Sequence, residues 1–150
     1  MAATDERRVA RYQEDFRDAG ARHGIDPAFL AAIASRESRG GNVLDANGCG
    51  DGGNGFGLMQ VDRRYHQTQG GPFSREHINQ AAGILAGFRD DLAARHPDWT
   101  RDQVMTASLS AYNRGTRNMD DPGNTDRGTT GGDYANDVIA RAQYYKERGF

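Results

Sequence analysis

The segment that most constrains this chain is the run from Asp26 to Ser38. Asp26 followed by Pro27 is a helix N-cap and first-turn pair, and Ala28-Phe29-Leu30-Ala31-Ala32-Ile33-Ala34 is apolar on nearly every side. A helix without a polar face has no stable place on a surface, so it is expected to run through the middle with other elements wrapped around it. The rest of the chain supplies the wrapping. Val9, Tyr12, Phe16 and Ala19 recur at helical spacing and predict one amphipathic helix over residues 4–23, ended by Gly24. Ile78, Ala81, Leu85, Phe88 and Leu92 predict a long helix closed by His96-Pro97. Thr100 with Gln103 is a capping-box pattern opening another, which carries Val104, Leu109 and Tyr112. A last helix is expected from about Tyr134 to Arg148, with Gly149 as its stop.

Two segments, 39–57 and 114–132, are polar and rich in glycine. The first reads as loop and tight turns, with any small sheet between there and Phe73, and the second as a mobile loop. No internal repeat or linker interrupts the pattern. The chain of 150 residues is therefore read as one α+β domain, 1–150, predominantly α-helical, with a buried central helix and a small sheet or turn region.

Composition removes several function classes. No run approaches the roughly 18 apolar residues of a membrane span, so no membrane partner is expected. A net charge of -2 and a pI near 6.1 lack the basic excess that neutralises phosphates, so nucleic acid is not expected either. The opening Met-Ala-Ala-Thr-Asp-Glu-Arg-Arg lacks a signal peptide's apolar stretch, which leaves another export route or a removed leader. The single cysteine, Cys49, excludes an intrachain disulfide and reads as a tolerated small residue in a loop rather than a reactive thiol.

Three cofactor motifs fail on context. Gly50-Asp51-Gly52-Gly53-Asn54-Gly55 matches the dinucleotide fingerprint, but that motif needs a strand before it and a helix after it. Here a helix-to-loop passage is expected to precede it, and more glycine follows. The stretch from Asp45 begins like a calcium loop, yet its fifth position is Cys49 and its twelfth is Phe56, where a glutamate is needed. His23, His66, His77 and His96 show no metal-ligand spacing, and most read as surface or capping residues. No metal or other cofactor is expected.

What remains is a set of carboxylates. Glu37 stands at the end of the apolar helix, where burial would raise its pKa from about 4.3 towards roughly 6, as a general acid requires. Asp51 lies among glycines, and Asp62 just beyond the apolar stretch Phe56–Val61. One protonated acid with one or two ionised carboxylates is what glycosidic bond cleavage needs. From spacing alone, a glutamate at a helix end is more often solvated or salt-bridged, here to Arg36 or Arg39, than catalytic.

The segment Ser35-Arg36-Glu37-Ser38, followed by Gly53-Asn54-Gly55-Phe56-Gly57-Leu58-Met59-Gln60-Val61-Asp62, resembles the active-site region of goose-type lysozymes, glycoside hydrolase family 23. Ser110-Ala111-Tyr112-Asn113, Asp133-Tyr134-Ala135-Asn136-Asp137-Val138 and Ala140-Arg141-Ala142-Gln143-Tyr144-Tyr145-Lys146 resemble later signatures of that family in the same order. The glutamate-serine, Gly-Leu-Met-Gln and Ala-Tyr-Asn blocks are shared with lytic transglycosylases. Val61-Asp62 and the Asp133–Val138 block favour the lysozyme branch. Arg114–Gly132 matches poorly, and the N-terminal cysteines of secreted vertebrate members are missing.

The resemblance implies a lysozyme-like fold and a monomer that acts extracellularly on peptidoglycan. It implies an inverting muramidase that cleaves the β-1,4 bond between N-acetylmuramic acid and N-acetylglucosamine. Glu37 matches the general acid, and Asp51 and Asp62 the two aspartates that position or activate water. Gln60, His66, Tyr112, Asn113 and Tyr134 match positions lining the sugar cleft; the two tyrosines could instead be core residues with buried partners for their hydroxyls. Arg39, two residues from the acid, would lower its pKa and is expected to point away. The alternatives are a lytic transglycosylase, which needs the acid but not the aspartates, and an inactive wall-binding module. The acidic pI implies little overall electrostatic steering towards an anionic wall.

Overall fold

A computed structural model describes residues 1–150. In chain order the elements are α1 (Ala2–Ala10), α2 (Gln13–His23), α3 (Pro27–Ser38), β1 (Cys49–Gly50), β2 (Gly55–Phe56), β3 (Val61–Asp62), α4 (Arg75–Arg95), α5 (Arg101–Arg114) and α6 (Tyr134–Lys146). The strands form one antiparallel sheet in the order β1-β2-β3, in register through Cys49 with Phe56 and Phe56 with Val61. The architecture is the α+β, mainly helical one that the apolar pattern predicts.

Helix α3 is the centre. Asp26 caps it by accepting the Ala28 N–H at 3.0 Å, and Leu30, Ala31, Ala32, Ile33 and Ala34 have no exposed surface. Helices α6, α2 and α1 pack around it. The alanines let those neighbours approach closely, while Leu30 and Ile33 each contribute about 1.5–3 kcal/mol by leaving water. Residues from the sheet, α4 and α5 join the same core, and Leu92, Val104, Ala107, Ala111 and Met119 form a smaller one. The Thr100–Gln103 capping box is present in both directions, at 2.8 and 3.1 Å.

Four details depart from the sequence expectations. The predicted helix over 4–23 is two helices, because the chain tightens at Arg11 and Tyr12, whose amides bond to Arg8 and Val9. The spacing of Val9, Tyr12 and Phe16 fits either case, so periodicity could not reveal the bend. Two of the three strands lie inside the glycine-rich segment 39–57 rather than after it. Cys49 is accordingly a buried strand residue, its sulfur accepting from Arg63 at 3.5 Å. The last helix ends at Lys146, short of Arg148.

The segment 114–132, expected to be mobile, is tied down. Asp126 accepts from the Ser110 hydroxyl at 2.7 Å and from the amides of Ala135 and Asn136 at 2.8 and 3.1 Å. It thereby caps α6 from a distance, a role the nearer Asp133 side chain does not take. Met119 buries its side chain in the smaller core.

A buried charge cluster joins α1 to the end of α3. Asp5 has no exposed surface and accepts from Arg8 at 2.6 Å, Ser35 at 2.7 Å and Arg39 at 2.9 Å. Burial pushes its pKa up, but the Ser35 hydroxyl and the Arg39 and Arg8 guanidinium groups outweigh it and hold the carboxyl below 3.8. Removing the carboxylate strands these donors. Asp5→Ala is expected to lose about 3 kcal/mol or more at pH 7 in a denaturant titration. Because the folded pKa lies below the unfolded one, the contribution is complete above about pH 4 and fades on acidification, so the wild-type advantage shrinks in acid. Equal stability at pH 7 would contradict this account.

Candidate active site

The site lies where the C-terminal end of α3 meets the sheet and helices α5 and α6. Its floor is the turn Leu58-Met59, held by three helices. From α3, the Ser38 hydroxyl donates to the Leu58 carbonyl at 2.8 Å. From α4, His77 Nε2 accepts the Met59 N–H at 3.0 Å. From α5, the Tyr112 hydroxyl donates to the Met59 carbonyl at 2.7 Å. Of the four histidines, His77 thus departs from the surface or capping expectation: it is fully buried, and burial lowers its pKa to about 4. It stays neutral, as an acceptor at Nε2 must.

Above this floor stands Glu37. Its Oε1 accepts a hydrogen bond from the Tyr134 hydroxyl at 2.8 Å. Burial of the carboxyl pushes its pKa up to about 7, against the lowering effects of the Tyr134 hydrogen bond and the Arg36 charge; the negative charge of Asp51 raises it further. Glu37 forms no ion pair with either adjacent arginine. Arg39 caps α3 in a left-handed conformation (φ 56°) and turns away to Asp5. Arg36 lies 5.0 Å from the Tyr134 ring centroid, paired with Asp137 at 2.8 Å and donating to the Thr130 carbonyl at 2.9 Å. Burial, with the nearby Glu37 charge, lifts the Tyr112 and Tyr134 phenols well above 10, so both remain donors. The two tyrosines are packed residues whose hydroxyls find buried partners.

The two aspartates sit in different surroundings. Asp51 opens a short 3-10 turn (Asp51–Gly53) in a left-handed conformation, φ 52°, exposed and with no protein partner on its carboxylate. Asp62 is gripped by Arg64 through Oδ1 at 3.0 Å and Oδ2 at 2.8 Å, and its Oδ1 also accepts the Arg64 N–H at 2.9 Å. Hydrogen bonds from Arg64 hold its pKa below 3.8, with a smaller contribution from His66. Glu37, Tyr134, Tyr112, Arg36 and Asp51 therefore form one electrostatic group and Asp62, Arg64 and His66 another, with the Asp51 charge acting on Glu37 in the first and on Arg64 in the second.

Gln60, also left-handed at φ 52°, folds its amide back over the hairpin and donates to the Gly57 carbonyl at 2.9 Å. A Cβ on Gly55 would lie 2.1 Å from Gln60 Oε1, so a side chain there would push the Gln60 amide out of this place. Asn113 is pinned to Thr130, whose amide it accepts at 3.0 Å, and so joins the end of α5 to the segment before α6. Residue patterns placed Ser38 in the glutamate-serine block without giving it a role, and did not single out His77, Arg64 or Asp126. Only the Asp62-Arg63-Arg64 order offered a hint, since an arginine two positions away can fold back on an aspartate. No three His, Cys, Asp or Glu side chains converge in a way that could hold a metal ion.

These couplings fix the direction of two shifts. Tyr134→Phe removes a hydrogen bond to the carboxylate, and the Glu37 midpoint is expected to move above 7. Asp51→Asn removes a like charge and is expected to move it below 7. Titration of Glu37 by NMR in the two variants reads both, and a shift in the same direction in each would refute the scheme.

The family model described as lysozyme g matches residues 1–149. Lysozyme G of Dromaius novaehollandiae is 44% identical over 150 residues, covering 100% of this chain and 73% of its own. Lysozyme g of Struthio camelus is also 44% identical with the same coverage. Lysozyme g of Epinephelus coioides is 45% identical over 161 aligned positions, covering 100% of this chain and 82% of its own. With a match along the whole chain and blocks 35–38, 53–62, 110–113 and 133–138 gathered around one dehydrated glutamate, the chain belongs to the lysozyme g family.

Proposed function

We infer that the protein is a muramidase that hydrolyses the β-1,4 bond between N-acetylmuramic acid and N-acetylglucosamine in bacterial peptidoglycan, with inversion at the anomeric carbon. The observation that carries this reading is Glu37, a carboxyl with a pKa near 7 at the end of a buried helix. At neutral pH a substantial fraction is protonated, yet the group is acidic enough to give its proton away. Tyr134 occupies Oε1, which leaves Oε2 to carry the proton towards the glycosidic oxygen.

In the proposed reaction Glu37 protonates the leaving oxygen as the bond to the anomeric carbon breaks. A water on the opposite face adds to that carbon and gives its proton to a carboxylate. Asp51 suits this second role better than Asp62. Its carboxylate is free, whereas Asp62 is neutralised by Arg64 and is a poor base. Asp62 then acts by holding Arg64 and the end of β3, and so orients the water indirectly. An inverting pair needs roughly 6.5–9.5 Å between its carboxyls to admit that water. Gln60, His66, Tyr112, Asn113 and Tyr134 are proposed to line the sugar cleft, with Tyr112 and Tyr134 also holding the floor and the acid. The place of action is proposed to be the bacterial wall, outside the cell. No helix is long and apolar enough to cross a membrane.

Glu37→Gln is expected to abolish turnover of purified peptidoglycan. Asp51→Asn is expected to lose on the order of 10²–10⁴-fold, as loss of a general base does, and Asp62→Asn less. Mass spectrometry of the muropeptides should find reducing ends, and 1,6-anhydro ends would replace hydrolysis with transglycosylation. The same acid leaves a mark on stability. Its folded pKa is raised, so its stabilising effect is full below about pH 4.5 and lost as pH rises through about 7. Glu37→Gln is therefore expected to be more stable than wild type at pH 8, by up to about 3 kcal/mol, and no more stable at pH 4. Thermal melts at the two pH values decide it.

A further inference from the structure

On the α1 side of the turn that leaves α3 lies a second concavity, a groove of about 880 Å³. It is lined by Arg7 and Arg8 of α1, Arg11 just beyond that helix, the backbone of Gly40 and Gly41, and an aromatic wall of Tyr12 and Phe73. No carboxylate lines it. Arg7 and Arg11 are exposed, and their side chains take part in no ion pair or hydrogen bond. Arg8 donates to the Arg39 carbonyl at 2.7 Å and shares the buried Asp5 with the Arg39 guanidinium. One carboxylate thus serves both of those arginines, so this corner keeps a positive excess in a chain whose net charge is -2.

The aromatic wall is part of the construction. Tyr12 and Phe73 stack with centroids 6.2 Å apart and planes 15° from parallel. Phe73 remains 40% exposed and packs so closely on Gly41 that a Cβ there would meet its ring at 2.7 Å. Guanidinium groups beside an apolar, flat wall suit a ligand that alternates anionic groups with carbon-rich units. The groove's size is in the range that holds a small ligand or a few units of a polymer.

We propose that this groove docks a polyol-phosphate polymer attached to peptidoglycan, with Arg7 and Arg11 gripping successive phosphates and the Tyr12–Phe73 wall meeting the polyol carbons. The proposal rests on the muramidase reading, which places the protein at a wall. Charge complementarity selects the occupant: the patch is local and basic while the chain as a whole is acidic, so attraction comes from this groove rather than from net charge. Docking here tethers the enzyme to its insoluble substrate and leaves the cleft at Glu37 free, which raises the local concentration of glycan strands.

The test compares wild type with Arg7→Glu/Arg11→Glu on two substrates: walls bearing the polyol-phosphate polymer, and the same walls after the polymer is removed by hydrofluoric acid. Both residues are exposed and unpaired, and an unchanged melting temperature checks that the fold is kept. Co-sedimentation of wild type with polymer-bearing walls should exceed that with stripped walls. The double variant should bind polymer-bearing walls on the order of tenfold more weakly, and the wild-type advantage should decline between low and high salt. Release of reducing ends from stripped walls should be equal in the two proteins, and that assay alone tests the muramidase reading. Equal binding to both wall types, or by both proteins, would overturn the docking proposal. So would binding to phosphatidylglycerol vesicles or to duplex DNA that matches binding to the walls.

Discussion

The peptide between Leu58 and Met59 is the point on which the architecture of the site depends. The sheet is three strands of two residues each, too short to be stable alone. It has a defined position because Ser38, His77 and Tyr112 reach this one turn from three different helices. The Leu58 amide also donates to the Pro72 carbonyl at 2.8 Å. Each of these bonds is buried or partly buried, so breaking any one leaves a dehydrated donor or acceptor, at a cost of about 1–3 kcal/mol. The helical body therefore dictates where the hairpin stands, and the hairpin carries Asp51 and Asp62.

The same helices set the electrostatics of Glu37. Burial alone would drive its pKa up, and a fully paired neighbour would bring it down. Dehydration is the dominant influence and, aided by the charge of Asp51, outweighs the lowering effects of the Tyr134 hydroxyl and Arg36. Two arginines flank the acid in sequence, yet each is diverted. Arg39 goes to Asp5 on α1, and Arg36 to Asp137 on α6. Asp5 and Asp137 thus act on the acid only through the arginines they hold. The left-handed backbone at Asp51 and Gln60 belongs to the same pattern, since strain of this kind persists only where surrounding contacts impose it.

Asp126 shows how a glycine-rich segment can be ordered without regular structure. It gathers a hydroxyl from α5 and two amides from the start of α6, and so fixes the position from which Tyr134 reaches Glu37. Asn113 and Thr130 make a second tie across the same gap. The groove on the far side of the α3 terminus is built differently, from unpaired exposed arginines beside an aromatic pair, which suits a surface for capture rather than for chemistry.

Much of this was legible in the residue order. The apolar run Ala28–Ala34 identified the central helix, Asp26-Pro27 and Thr100–Gln103 marked two helix starts, and the blocks around Glu37 and Met59 indicated the family. These signals are local, because caps and helical periodicity depend on residues a few positions apart. The bend at Arg11 and Tyr12 was not legible because helical spacing runs on through it, nor were the two-residue strands, because they leave no alternation within a glycine-rich segment. The order of residues 114–132 rests on contacts with separate helices. So does the site: Tyr134 meets Glu37 across 97 positions, and Tyr112 meets Met59 across 53. Residue order named Glu37 as an acid in waiting. Only the packed structure decided its proton affinity, because dehydration and the direction of neighbouring charges exist only once the helices have closed around it.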